Sequence, residues 1–390
     1  MYKALIGWDN GREVAGLETV MDEKLHTMLR RPVASYCTLD SAVRLEPLID
    51  ECGENFMFHL RRLGTFDMTQ WFRYFSIDTI NKIAFSEDLG FMNSGKDVGG
   101  TLAALELGFR AWASVATFPQ AAMWLRWALS CISAIPLPLV DMASSRVKAR
   151  CQLERTAGSK VDLLDHYLEA SRQYPDVYTQ ERVVGLTLTT IFAGSETTGV
   201  TLINSIYGLL KHPDALAHVQ DELHRAAQLG DLSYPPQWKE LSKLPYLDAT
   251  IKEGMRTVGL LRLSLDRTVP GEGIELCGQV IPAGTIVGCL PQVIHHNKGV
   301  YGPDAEEFRP SRWLEADEEK RKTMERAAMW FGQGKHICLG QHIARVEMMK
   351  ILAMLFMRFQ VNHIHEHRPK RGPLWSKDGL IFNFLRLQIL

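Results

Sequence analysis

The sequence predicts a mainly α-helical protein with a small β portion, and three observations predict it. From Val183 to Leu210 the only charge is Glu196, so this segment reads as a helix apolar nearly all round, the central helix of a large core. Several other segments repeat apolar residues at helical spacing. Runs rich in Val, Ile and Thr, broken by Gly and Pro, occur only late, from Arg267 to Val293 and again near Leu380 to Leu390.

In chain order, Asp22 to Ala34 is predicted as a helix whose exposed face carries His26 and Arg30 one turn apart. Leu45 to Leu63 and Met68 to Phe85 read as amphipathic helices. Between Arg110 and Arg126, and from Trp127 to Val140, charges are missing, but Pro119, Pro136 and Pro138 interrupt and neither stretch reaches the roughly 20 residues of a spanning helix. They read as buried helix ends and a loop, or as a loop that dips into a membrane surface. The Val183–Leu210 helix is long enough to cross a bilayer. However, a central acid costs about 2.5–3.5 kcal/mol there, and hydroxyls such as Thr187, Thr190 and Thr201 are frequent, so a buried core helix is expected instead. Pro213-Asp214 opens a helix to about Leu229, and Leu247 to Thr257 carries Glu253 and Arg256 on one face. Glu315 to Arg326 reads as a solvated face. After Leu339, Ile343, Val346, Met349, Leu352 and Phe356 recur as a buried helix would require. No repeat or linker divides the chain, so residues 1–390 are expected to form a single domain.

Composition excludes several function classes. The 390 residues carry 44 Lys plus Arg against 45 Asp plus Glu, a net charge of −1, which argues against nucleic-acid binding. A hydrophobic fraction of 46% excludes wholesale disorder. The 7 cysteines are scattered, without a Cys-x-x-Cys pair, so neither a disulfide scaffold nor a zinc finger is expected and a reducing compartment is. The N-terminal segment MYKALIGWDNGREVAG has neither the pattern of a signal peptide nor an anchor. His363, His365 and His367 alternate, and on a strand would share one face, a weak metal-site pattern that an exposed hairpin explains as well.

The chemistry concentrates in FGQGKHICLG, residues 331–340. Cys338 lies between a turn containing Gly332 and Gly334 and a helix beginning near Gly340. Glycines allow tight turning and close backbone approach, and amides at a helix start favour a thiolate. The spacing Phe-x-x-Gly-x-[Arg/His]-x-Cys-x-Gly resembles the cysteine loop of the cytochromes P-450, the haem-thiolate monooxygenases. The resemblance implies that Cys338 is the axial ligand of haem iron (iron-protoporphyrin IX) and that Phe331, Gly332, His336 and Gly340 shape the cofactor site. His336 stands where most members have arginine.

Further motifs follow in order. Ala193-Gly194-Ser195-Glu196-Thr197-Thr198 is similar to the family's central-helix motif, where a local helix distortion opens a groove for dioxygen. The resemblance implies that Ala193 lines the cofactor, that Thr197 is the catalytic hydroxyl that steadies the iron–oxygen species, and that Glu196, with no local cation in sequence to pair with it, is the acid that feeds protons. Glu253, Arg256 and Arg312, the last within FRPSRW, match a structural charge cluster. Arg267, Arg30 and His26 match propionate contacts, and Val258-Gly259 and Ser264 replace a usual His-Pro and proline in a pocket-lining loop.

Together these imply the cytochrome P-450 fold in a monooxygenase acting on a lipophilic small molecule. Apolar residues such as Leu188, Phe192, Leu263 and Ile381 would line its pocket. Electrons would come from an NADPH-dependent reductase docking near Lys335, Arg345 and Lys350. The segments DEKLHTMLRRPVAS, PDAEEFRPSRWL and FGQGKHICLG most resemble fungal pisatin demethylase-like members of secondary metabolism. The family pattern further implies an endoplasmic reticulum membrane location on the cytosolic face, and a chain here lacking the front section: the anchor, early helices and part of the larger sheet. Two alternatives stand beside this reading: a haem-thiolate isomerase or dehydratase, and a truncated haem-binding chain without turnover.

Overall fold

The computed structural model describes residues 16–107, 138–152, 162–260 and 264–361, the backbone of short strands at 7–9, 12–14, 362–367 and 384–389, and a few single helical residues between 120 and 128. Among the described residues nine principal helices carry the fold: α1 (Glu23–Ala34), α2 (Glu46–Leu63), α3 (Met68–Phe85), α4 (Pro138–Gln152), α5 (Leu163–Gln173), α6 (Gln180–Lys211), α7 (Pro213–Gln228), α8 (Pro245–Val258) and α9 (Gln341–Arg358). The strands form small antiparallel sheets: β1 (Gly7–Asp9) with β2 (Arg12–Val14), and β4 (Leu265–Thr268) with β7 (Ile286–Cys289). Between the latter two, β5 (Ile274–Leu276) pairs with β6 (Gln279–Ile281). A three-stranded sheet has the order β3 (Thr65–Asp67), β9 (Phe384–Ile389), β8 (Val361–His367). The mainly α expectation is met.

Side-chain caps set several helix starts. Asp22 accepts from the Leu25 amide at 2.8 Å and so begins α1, and Asp67 does the same for α3 through Gln70 at 3.1 Å. Proline occupies the first turn of α7 and of α8, where no intrahelical amide is lost.

The long helix α6 runs unbroken from Gln180 to Lys211, so the expected distortion at the Ala193–Thr198 motif is absent as a break. It packs chiefly on α3, and small residues set the approach. A Cβ on Gly194 would lie 2.3 Å from Ile80 Cγ1, and one on Gly199 would lie 3.1 Å from the Phe72 carbonyl oxygen. Because α2 and α6 clasp α3, that helix is buried on nearly every face, and its expected amphipathic character is corrected. Helix α9 is enclosed likewise: Ile343, Val346, Met349, Leu352 and Phe356 are all buried, the first two with Ile49 and Ile83, and the other three in the main core with Phe56, Phe72, Leu202, Ile351 and Leu355. No helix among the described residues is long and apolar enough to cross a membrane.

Gly259 ends α8 with φ +54°, a backbone conformation that proline, fixed near about −65°, does not adopt. Most of the 111–140 stretch, and Leu263 and Ile381, lie outside the described residues. In β8 the backbone pairing shifts register between His363 and His365, so the expected alternation of the histidines is interrupted; their side chains lie outside the described residues.

Candidate active site

The cysteine loop closes on itself. The Cys338 amide donates to the Phe331 carbonyl at 2.8 Å, and Gly332 and Gly334 both have φ of 70°, a conformation that other residues adopt only at a cost. Gly340 caps α9, and the amides of Gly340 and Gln341 point at the Cys338 sulfur. Cys338 keeps accessible surface while being enclosed by protein at longer range, which places it within a cleft. Enclosure raises its thiol above the usual range, while the two amides and the nearby Arg30 guanidinium favour the thiolate.

Leu339 packs beside Leu29 and Val33 of α1 and Leu186 of α6, so the loop brings both helices together. His336 stacks on His26 with ring centroids 4.0 Å apart, and its Nε2 donates to Glu23 Oε1 at 2.9 Å. His26 is therefore buried, at 2% exposure, rather than on the exposed face expected for it. Burial, His336 and Arg30 lower its affinity for a proton, and its Nδ1 has no hydrogen-bond partner among the described residues. Arg30 is half-buried and makes no hydrogen bond or ion pair among the described residues. Arg267 is exposed on β4 and donates to the Asp266 carbonyl at 2.8 Å. Its sheet reaches the loop through Cys289, whose sulfur lies 3.2 Å from that of Met329.

On α6, Ala193 and Thr197 are accessible while Ser195, Thr198 and Gly199 beside them are buried. The Thr197 hydroxyl donates to the Ala193 carbonyl at 2.8 Å, which leaves its lone pairs open to accept. Glu196 corrects one expectation: a cation does pair with it, from α3. Arg73 Nε and Nη2 donate to Oε1 at 3.0 and 2.7 Å, and Oε2 makes no hydrogen bond among the described residues. Burial pushes the carboxyl above its ordinary range and Glu106 adds to the rise, while Arg73 opposes it. Sequence spacing could not show this pair, because the partners are far apart along the chain.

Glu253, Arg256 and Arg312 meet in a fully buried cluster. Glu253 accepts from Arg256 Nε and Nη2 at 2.9 and 2.8 Å, from Arg312 Nε at 2.9 Å and from Trp313 Nε1 at 2.9 Å. The guanidiniums also donate to carbonyls of His295, Glu307 and Asp304, fastening α8 to the segment that leads into the cysteine loop. His295, a residue sequence reasoning missed, completes the link: its Nε2 accepts from the Met329 amide at 3.0 Å. Burial and Arg256 hold it neutral, with a pKa lowered to about 4. Lys350 corrects the docking expectation. It is fully buried and ion-paired to Glu46 and Asp50 at 2.7 and 2.9 Å, which leaves Lys335 and Arg345 on that side.

Glu347 was also missed, although an acid in an apolar helix is the same signal that singled out Glu196. It is buried with Oε1 unpartnered, and burial pushes its pKa up to about 8. The folded protein holds this proton more tightly than the unfolded chain, so stability is greatest below pH 4.5 and falls as pH rises through about 8. The loss is at most about 5 kcal/mol. Urea unfolding of wild type and Glu347→Gln between about pH 5 and about pH 9 should show the wild type losing several kcal/mol relative to the variant. Parallel pH profiles would contradict this.

Residues 12–387 match the family described as Cytochrome P-450. The chain belongs to the cytochrome P-450 family. A cytochrome P-450 monooxygenase of Aspergillus terreus is 33% identical over 380 residues, which cover 93% of this chain and 76% of the relative. The cytochrome P-450 monooxygenase easK of Aspergillus fumigatus is 38% identical over 301 residues, 77% of this chain and 85% of the relative. Cytochrome P-450 monooxygenase mfmA of Annulohypoxylon moriforme is 30% identical over 382 residues, 91% and 72% respectively. The chain is thus an oxygen-incorporating oxidoreductase of a haem-thiolate family, and its cofactor is haem bound through a cysteine thiolate.

The residues present suit that group. An accessible sulfur receives two amides, a buried imidazole nitrogen beside Arg30 has no partner among the described residues, and the central helix presents small side chains at Ala193 and Thr197. A thiolate, cations for carboxylates and a clear face are what a haem with two propionates requires.

Proposed function

We propose that the protein is a single-domain monooxygenase that inserts one atom of dioxygen into a lipophilic small molecule of fungal secondary metabolism, with Cys338 as the haem ligand. The observation that carries the reading is the enclosed Cys338 sulfur with two helix-start amides aimed at it. When bound, haem supplies the oxidising chemistry. The protein's own residues would hold it and manage protons. Phe331, Gly332 and Gly340 fix the loop, and Arg30, Arg267, His26 and His336 receive the propionates. His336, placed by Glu23, supplies a weaker charge than the arginine more usual in the family.

Thr197 Oγ1, whose own hydrogen is directed at the Ala193 carbonyl, would accept a hydrogen bond in the groove, and the Glu196 carboxyl, through Oε2, the oxygen Arg73 leaves free, would give up a proton and be reprotonated from solvent. The Glu253, Arg256 and Arg312 cluster has a positioning role. A reductase supplied by NADPH would dock at the face bearing Lys335 and Arg345, and the pisatin demethylase-like subgroup and an endoplasmic reticulum membrane setting accord with this reading.

Turnover under isotopically labelled dioxygen tests it. With NADPH and a fungal reductase, product should carry one labelled oxygen, whereas oxygen derived from water, or a rearranged product formed without electrons, would overturn it.

A further inference from the structure

The stripe of α6 bearing Ala193 and Thr197 continues one turn earlier to Thr189, since residues four apart share a helix face. There the Thr189 hydroxyl donates to both carboxylate oxygens of Glu18, at 3.0 and 2.9 Å. The Glu18 backbone amide is its other donor. A carboxylate can accept about four hydrogen bonds, so much of its capacity stays open, and both donors are uncharged. Among the described residues no cation pairs with it. Burial raises the carboxyl above its ordinary range, and only these hydrogen bonds oppose the rise.

Three other enclosed acids among the described residues are answered by cations, and fully buried Asp78 by the backbone amides of Leu89, Phe91 and Met92. Glu196 has Arg73, Asp162 has Arg150, and Glu253 has two arginines. Glu347 has none but is shut inside the α9 packing, whereas Glu18 keeps accessible surface. The turn carrying Glu18 is held against α6: the Thr19 amide and hydroxyl both donate to the Gly16 carbonyl, and a Cβ on Gly16 would lie 1.8 Å from Thr189 Oγ1. Eight residues of helix separate Thr189 from Thr197, about 12 Å along the axis at 1.5 Å per residue.

We propose that Glu18, positioned by Thr189, is a specificity-determining residue that selects substrates carrying a protonated amine on the order of 10 Å from the carbon to be oxidised. The ammonium supplies the charge-assisted donor that no described residue provides. This inference rests on the haem monooxygenase reading.

The test uses haem-loaded protein and two probes, N,N-dimethyl-phenylbutylamine and the carbon isostere in which CH replaces NH⁺. Binding is measured by equilibrium dialysis, with the reduced carbon monoxide spectrum recorded for each preparation. Wild type should bind the amine at least about ten-fold tighter than the isostere, about 1.4 kcal/mol. Glu18→Gln should remove that preference and leave isostere affinity unchanged, and Thr189→Val should reduce the preference while retaining the acid. Wild type with the thiolate-haem spectrum but no amine preference, or a preference that survives Glu18→Gln, would overturn the inference alone. Wild type without that spectrum would overturn the monooxygenase reading, and the inference with it. The wild-type comparison is decisive whether or not either variant folds.

Discussion

Replacing Glu253 with alanine is expected to unfold the protein or leave it unable to retain haem. The substitution takes a shared carboxylate from two buried guanidiniums: Arg256 is 0% exposed, Arg312 3%, and both bond to it. Removing one partner of a buried pair costs about 3–5 kcal/mol because the remaining charge is uncompensated. Here Arg256 is left without its counter-charge while Arg312 keeps Asp304, at 3.1 Å, and the Trp313 indole and Arg309 amide also lose their acceptor. Net stabilities run only about 5–15 kcal/mol, so the loss is comparable with the whole. Glu253→Gln keeps the shape and some acceptors and should be less damaging. Urea unfolding with haem content as a second readout checks this; an alanine variant within about 1 kcal/mol of wild type would show that the cluster is dispensable.

The second large effect is expected at Thr197 and Glu196. Thr197→Ala should bind haem and substrate as wild type does, yet form product about a hundred-fold more slowly, the lower end of what positioned proton transfer contributes. Thr197→Ser should recover most of the rate. Glu196→Gln should show a similar loss, with electrons consumed without matching product. The assay is product formed per NADPH oxidised. Full product formation by Thr197→Ala would favour a rearrangement that needs no proton delivery.

Much of the helical framework was legible because it rests on local signals. The apolar run at Val183–Leu210 became α6, Met68–Phe85 matched α3 to the residue, and the apolar spacing after Leu339 became α9. What escaped was set by distant partners. Nothing local to Met68–Phe85 shows that a second layer covers its other face. Arg73 reaches Glu196 across 123 residues of sequence, so the acid looked unpaired. His26 looked exposed because the loop residue that stacks on it comes 310 positions later. Lys350 looked like a docking charge because its helix was read without Glu46, Asp50 and the Pro236 carbonyl, which bury it.

In the candidate site, resemblance to the family's motifs singled out Cys338, Glu196, Thr197 and the Glu253 cluster, and of these the Glu253, Arg256 and Arg312 side chains do meet. His295, Glu347 and the Glu18–Thr189 contact were not found, because a lone histidine or acid acquires meaning only from what surrounds it.

The most direct measurement is the spectrum of the reduced, haem-loaded protein under carbon monoxide, taken for wild type and for Cys338→Ser. The wild type should show the strongly red-shifted Soret band of a thiolate-ligated haem and the variant should lack it. A wild type without that band after haem supplementation, or a Cys338→Ser protein that retains it, would contradict the assignment of Cys338 as the haem ligand.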